Sequence, residues 1–481
     1  MTNRKSTKRA LLGSVMAMVL CLAMLVGATF AWFTDTASTG VNKIQAGNLD
    51  VALEMKDGDN WVSAEGKTLT FKTKDNRAAD QILWEPGCTY ELPQLRVVNK
   101  GNLALKYKIQ ITGIQGDAKL NEVIDWTIND AAINLAEGHL TAGQQGDAFT
   151  IKGHMQDTAG NDYQNLTIDG IGINVVATQD TVESDSFHNQ YDADAEYPIA
   201  VTTGDELQAI VNNATAPVNI VLANSITTNN FVIPEDKDVT LDLNGRTVTN
   251  AESHTILNKG HLTLKDSSAD KSGQIISCKG KTAALRNGDN AVCVVEGGTI
   301  SRDGADGNTW HTVENFGTMT FNGGKVIAND GKSFAIVNGW NYIPVPGEQK
   351  ATMTINDIEM TASPNGFKNC AGGTLTMNGG TLRCTTGYWG LSNDSTGVAT
   401  INGGKIISDE YIAISDGGAK MEINGGTFTG PQGSLYVQNW AKDTVVKGGS
   451  YQNETVEFMQ SCCPKGYTAK PEGDMVVVSK D

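Results

Sequence analysis

Thr320-Phe321-Asn322-Gly323-Gly324 returns as Thr376-Met377-Asn378-Gly379-Gly380, as Thr400-Ile401-Asn402-Gly403-Gly404 and as Glu422-Ile423-Asn424-Gly425-Gly426. Val294-Val295-Glu296-Gly297-Gly298 and Val446-Lys447-Gly448-Gly449 are weaker copies on either side, and Leu243-Asn244-Gly245 is a degenerate early one. Gly323 and Gly379 stand further apart, and Thr354-Ile355-Asn356-Asp357 fills the slot between them. A unit of ~22–28 residues that keeps its register over this length is the signature of a solenoid.

A second column runs through the same region: Asn258, Asn287, Asn315, Asn338, Asn369, Asn393, Asp416 and Asn439. Two residues before each stands an apolar residue, from Ile256 and Leu285 to Ile414 and Val437. The pattern predicts an all-β chain whose second half, residues 199–481, is a right-handed parallel β-helix. Each coil would make three short strands, and like residues would stack roughly 4.8 Å apart. Asparagine suits a tight corner because it tolerates left-handed backbone and bonds neighbouring peptide groups. A stack of such side chains is expected to form a structural ladder, while the paired glycines relieve another corner. Met319/Phe321, Met353/Ile355, Leu375/Met377 and Met421/Ile423 read as inward columns, and Cys293 falls on the same column as Met319.

Thr203-Gly204-Asp205-Glu206 opens this half with a capping box, so a short helix is expected to cover its first coil. Residues 454–459 and the strand at 475–478 read as the C-terminal cap.

The first half reads differently. At residues 103–111 apolar and polar positions alternate, which predicts a half-buried strand. Asn99-Lys100-Gly101-Asn102 is a turn before it, and Ile171, Ile173, Val175 and Ala177 alternate again near the end. Residues 32–180 are expected to form a β-sandwich, and the acidic stretch 181–198 a linker. That hinge is a conceivable calcium site, but no other feature supports one and no cofactor is expected.

At the N-terminus Arg4, Lys5, Lys8 and Arg9 precede an apolar run. Residues 1–31 read as a secretory signal peptide cut between Ala31 and Trp32. The chain has 481 residues and a formal net charge of −17. This balance argues against nucleic acid as a partner, and no membrane association is expected once the signal is removed. The seven cysteines beyond Cys21 (Cys88, Cys278, Cys293, Cys370, Cys384, Cys462 and Cys463) show neither paired spacing nor C-x-x-C, so neither a disulfide framework nor zinc is expected.

The stretch Gly27-Ala28-Thr29-Phe30-Ala31-Trp32-Phe33-Thr34-Asp35, with Ala46-Gly47-Asn48-Leu49-Asp50-Val51, Pro86-Gly87 and the 98–105 hairpin, resembles the TasA/camelysin family. The resemblance covers about a third of the chain. It implies a jelly-roll-like domain, Gram-positive-type export and a place on the cell surface or in an extracellular biofilm matrix. It also implies self-association or pairing with related matrix proteins. The segment 32–44, with Trp32, Phe33, Val41 and Ile44, would be a donor strand for an open sheet edge. Camelysin is labelled a metallo-endopeptidase. This chain has no H-E-x-x-H, and its 6 histidines have no close ligand spacing, so no metal site is expected.

The solenoid is similar to the pectate-lyase-like β-helix superfamily in repeat pattern and not in catalytic motif. That superfamily includes polysaccharide lyases and hydrolases as well as non-catalytic adhesins, so fold alone does not decide function. A lyase or hydrolase site would place acids in one outward column of consecutive coils. The column Leu257, Arg286, Glu314, Val337, Lys368, Ser392, Ser415, Gln438 holds a single acid, so no catalytic residue is assigned. The expected function is therefore structural or adhesive. Polysaccharide binding or degradation is the alternative, with Trp310, Tyr388, Tyr411, Trp340 and Trp440 as candidate glycan contacts.

Overall fold

A computed structural model describes residues 49–481, except 68, 73–81, 113–114, 117, 133–136, 167, 170–171, 181–196, 279, 303–309, 329–332, 342–344 and 346–348. The cleavage pair Ala31/Trp32, the donor-strand residues Phe33, Val41 and Ile44, and most of the acidic linker lie outside the described residues.

From Ile199 onward the chain winds into a β-solenoid of about 10 turns. Successive turns add parallel strands to three long sheets, of 11, 12 and 9 strands, the 12 including two antiparallel strands of the C-terminal cap. Coil-to-coil register is strict. Cys293, Met319, Met353, Leu375 and Ala399 pair in line, and so do Val295, Phe321, Ile355, Met377 and Ile401. These columns are fully buried. Each such side chain contributes roughly 1.5–3 kcal/mol, so stacking of the interior dominates the fold. Cys293 behaves as a small apolar residue here, and burial pushes its thiol up to about 12.

Both ends of the stack are closed. At the start, helix Gly204–Asn213 is capped by Thr203, whose hydroxyl accepts from Glu206 N at 3.1 Å. The Glu206 carboxylate returns to Thr202 N at 2.8 Å, one residue before the expected partner. Gln208 then imitates a missing strand. Its amide donates to Val232 O and accepts from Val232 N, both at 2.8 Å. At the far end, helix Val456–Ser461 and strand Met475–Lys480, antiparallel to Gly449–Gln452, cover the last coil.

Residues 51–179 form small antiparallel sheets around Leu95, Val97, Leu105, Ile109 and Ile151. The pairing of Leu105–Thr112 with Gly172–Gln179 extends over both strands. The described strands fall into four sheets of 3, 4, 2 and 3 strands, where a jelly roll would show two broader ones. This region meets the first coil through Gln110, which accepts from Ala200 N at 3.4 Å, and through Lys106 over the Tyr197 ring.

Candidate functional site

Three features of the solenoid could carry function: its corners, the outer face of its third sheet, and the loops that lead into that sheet.

The interior corner holds the asparagine column. Asn258 Nδ2 donates to Asn287 Oδ1 at 2.7 Å, and Asn287, Asn315, Asn338 and Asn369 each donate to the next in turn at 2.8 Å. Each amide also donates to a strand carbonyl, as Asn338 does to Thr374 O at 3.1 Å. The run ends where Asn393 donates to Asp416 Oδ1 at 2.9 Å. Asn439 does not continue it. Val437 pairs with Asp416, and Asn439 is exposed two residues further on. The physical reason is the carboxylate. Asp416 has no N–H to pass onward, and its other oxygen accepts from Thr444 Oγ1 at 2.6 Å. Val437-Gln438-Asn439 imitates the repeat in sequence, but Leu435-Tyr436-Val437 occupies its place.

The exposed Asn-Gly-Gly corner carries a second ladder, which the sequence reading missed. Asn424 donates to Asn402 at 2.9 Å; Asn402, Asn378 and Asn356 each donate one coil back at 2.8 Å, and Asn322 donates to Glu296 Oε1 at 2.8 Å. Its polarity is opposite to that of the interior ladder. In both, a carboxylate stands at the accepting end, where no onward donor is needed. The recurrence of Asn before each glycine pair was the available signal.

The outer face of the third sheet differs from expectation. Glu314, Val337, Ser392 and Ser415 are buried, so the column read as outward is covered. Two of its own members pack on neighbouring rings: Arg286 lies over the Phe316 ring at 4.8 Å, and Lys368 over Phe334 at 5.3 Å. Tyr436, not Gln438, closes that column. Glu314 pairs with Arg286 at 3.0 Å. Burial raises its carboxyl above the ordinary range, with Arg286 pulling the other way.

Beside this pair, His311 Nδ1 lies 2.6 Å from Ser333 Oγ. The distance suits a nucleophile and its base, but the electrostatics do not. Burial drives the imidazole down to about 3, reinforced by Arg302 and Lys368. Its Nε2 faces Asn341 at 3.4 Å and has no carboxylate partner there. A base so depressed takes up no proton at neutral pH. Among the described residues, no group of three His, Cys, Asp or Glu could hold a metal.

The aromatic candidates separate. Trp340 is 4% exposed and packs on Phe316 at 5.5 Å, so it offers no face to a ligand. Trp310 is half-buried against His311. Tyr388 and Tyr411 do meet, edge to face at 6.4 Å, on the loops of adjacent coils. Trp389, which the column reading passed over, completes the group at 5.5 Å from Tyr388 and 6.1 Å from Tyr411. Tyr388 is 51% exposed, and Gly387 beside it donates to Glu410 at 3.0 Å. Trp440 is 60% exposed, and its indole nitrogen closes over Gly417, where a Cβ would come within 2.5 Å.

Residues 6–60 match the family model described as camelysin metallo-endopeptidase. No curated protein and no solved structure matches the chain. No helix among the described residues is long and apolar enough to cross a membrane.

Proposed function

We propose that this chain is an exported structural protein of a cell surface or extracellular biofilm matrix. The observation that carries this reading is the pair of asparagine ladders. They hold successive coils in one register and reserve the repeated side chains for stacking. The camelysin-type match at residues 6–60 supports export, with residues 1–31 removed as a signal. The freed segment 32–44 would then add to an open sheet edge of another copy or of a related matrix protein, and the solenoid would serve as a rigid displayed element. Electron microscopy of the chain lacking residues 1–31 tests this. Ordered assemblies that disappear on deletion of residues 32–42 are the expected result. Assembly unchanged by that deletion, or none in the intact form, contradicts it.

A second reading rests on the Tyr388/Trp389/Tyr411 group. Exposed aromatic faces beside polar loop groups suit stacking on sugar rings, so the solenoid would also hold extracellular polysaccharide. Polysaccharide gel-shift of the intact chain against a Tyr388→Ala/Tyr411→Ala variant separates the two readings.

A further inference from the structure

The exposed ladder places the chemically labile Asn-Gly dipeptide at Asn322, Asn378, Asn402 and Asn424, whereas Asn356 is followed by Asp357. The first glycine of each pair lies under the preceding coil. A Cβ at Gly379, Gly403 or Gly425 would come within 2.5, 2.7 or 2.8 Å of the carbonyl oxygen of Asn356, Asn378 or Asn402. In these three coils glycine leaves room for that carbonyl, although Asp357 stands in the equivalent place after Asn356. Asn-Gly is the sequence in which backbone nitrogen reaches the side-chain carbonyl with least hindrance.

We propose that this corner is a site of spontaneous deamidation, led by Asn424 and followed by Asn402, Asn378 and Asn322. The Gly425 nitrogen, after losing its proton to solvent base, attacks Asn424 Cγ. The new N–Cγ bond replaces the Cγ–Nδ2 bond, and Nδ2 leaves as ammonia after taking a proton back from solvent. Water then opens the succinimide at either carbonyl, giving aspartate or isoaspartate. Only water is consumed, and nothing is oxidised or reduced.

Two observations set the selectivity. The interior ladder contains the same dipeptide at Asn287-Gly288 and Asn338-Gly339, but those asparagines are fully buried. Their glycine N–H groups donate to Asn258 O at 2.8 Å and Asn315 O at 3.0 Å, so the nucleophile is engaged. Among the described residues, the N–H groups of Gly323, Gly379, Gly403 and Gly425 make no such backbone bond. Asn424 leads because it ends its ladder. It donates to Asn402 but receives no bond from a further asparagine, since Lys447 occupies the next tier. A carboxylate formed at Asn424 would face the acceptor oxygen of Asn402, just as one formed at Asn402 would face that of Asn378.

Peptide mapping of the folded full chain, aged in mildly alkaline buffer, tests this. Conversion is expected at the exposed corner, greatest at Asn424, with Asn287 and Asn338 unchanged over the same period. An Asn424→Gln variant should release less ammonia and make Asn402 the leading site. Equal conversion of Asn287 and Asn424 would overturn the proposal. So would an Asn424 that stays intact in the folded chain while the isolated peptide converts.

Discussion

Asn393 donates to Asp416 at 2.9 Å, and that bond terminates the interior ladder. An amide both donates and accepts, so it can pass a chain of hydrogen bonds along. A carboxylate only accepts. The same chemistry recurs in mirror image at Asn322 and Glu296, where the exposed ladder ends toward the N-terminus.

Removing an interior member is therefore costly. Asn338→Ala takes the acceptor from Asn315 and removes the donor to Asn369 and Thr374 at a fully buried position. Each stranded buried group costs about 1–3 kcal/mol, so a loss of about 3 kcal/mol or more is expected in urea unfolding. Asn378→Ala on the exposed ladder should cost less than about 1 kcal/mol, because solvent replaces what is lost.

The register of the last coil makes a sharper contrast. Asn439→Ala should leave stability unchanged, while Asn393→Ala should destabilise the chain about as much as Asn338→Ala. Equal effects at both positions would place Asn439 in the column after all.

At Gly323, Gly379, Gly403 and Gly425 a Cβ would crowd the carbonyl oxygen of the preceding coil, whereas Asp357 stands in the equivalent place after Asn356. Gly403→Ala brings a Cβ to 2.7 Å from the Asn378 carbonyl oxygen and should lower the midpoint of thermal unfolding. Gly323→Ala, at 2.8 Å from the Glu296 carbonyl oxygen, should do the same.

Acid should weaken the solenoid through its histidines. His311 is held down to about 3 and His254 to about 4, each chiefly by burial. Both stay neutral in the fold but titrate near 6.5 when unfolded, so the unfolded chain binds more protons between these limits. Their stabilising contribution is complete above pH ~6.5 and falls as the pH drops towards ~3–4, by about 2 kcal/mol each at pH ~5. His311→Asn should flatten that pH dependence in denaturant unfolding, whatever its effect at neutral pH.

The solenoid was legible in the sequence because its repeats act on one-residue columns. Cys293, Met319 and Met353 align as the apolar pattern requires. The last coil was misread because Val437-Gln438-Asn439 satisfies that pattern as well as Leu435-Tyr436-Val437 does. Only the inability of Asp416 to donate distinguishes them. Trp340 looked available because a corner residue faces outward. Its burial against Phe316 depends on segments that differ in length from coil to coil and carry no period. The exposed ladder escaped notice because its glycines drew the argument to backbone geometry and away from the amide before them.

Side-chain amide exchange tests the stacked-ladder account most directly. The Nδ2 protons of Asn258, Asn287, Asn315, Asn338, Asn369 and Asn393 should exchange slowly and together, on the timescale of global opening, while those of Asn439 exchange at the rate of a free side chain. Fast exchange at the six interior positions would contradict the ladder, and with it the rigid element on which the proposed function depends.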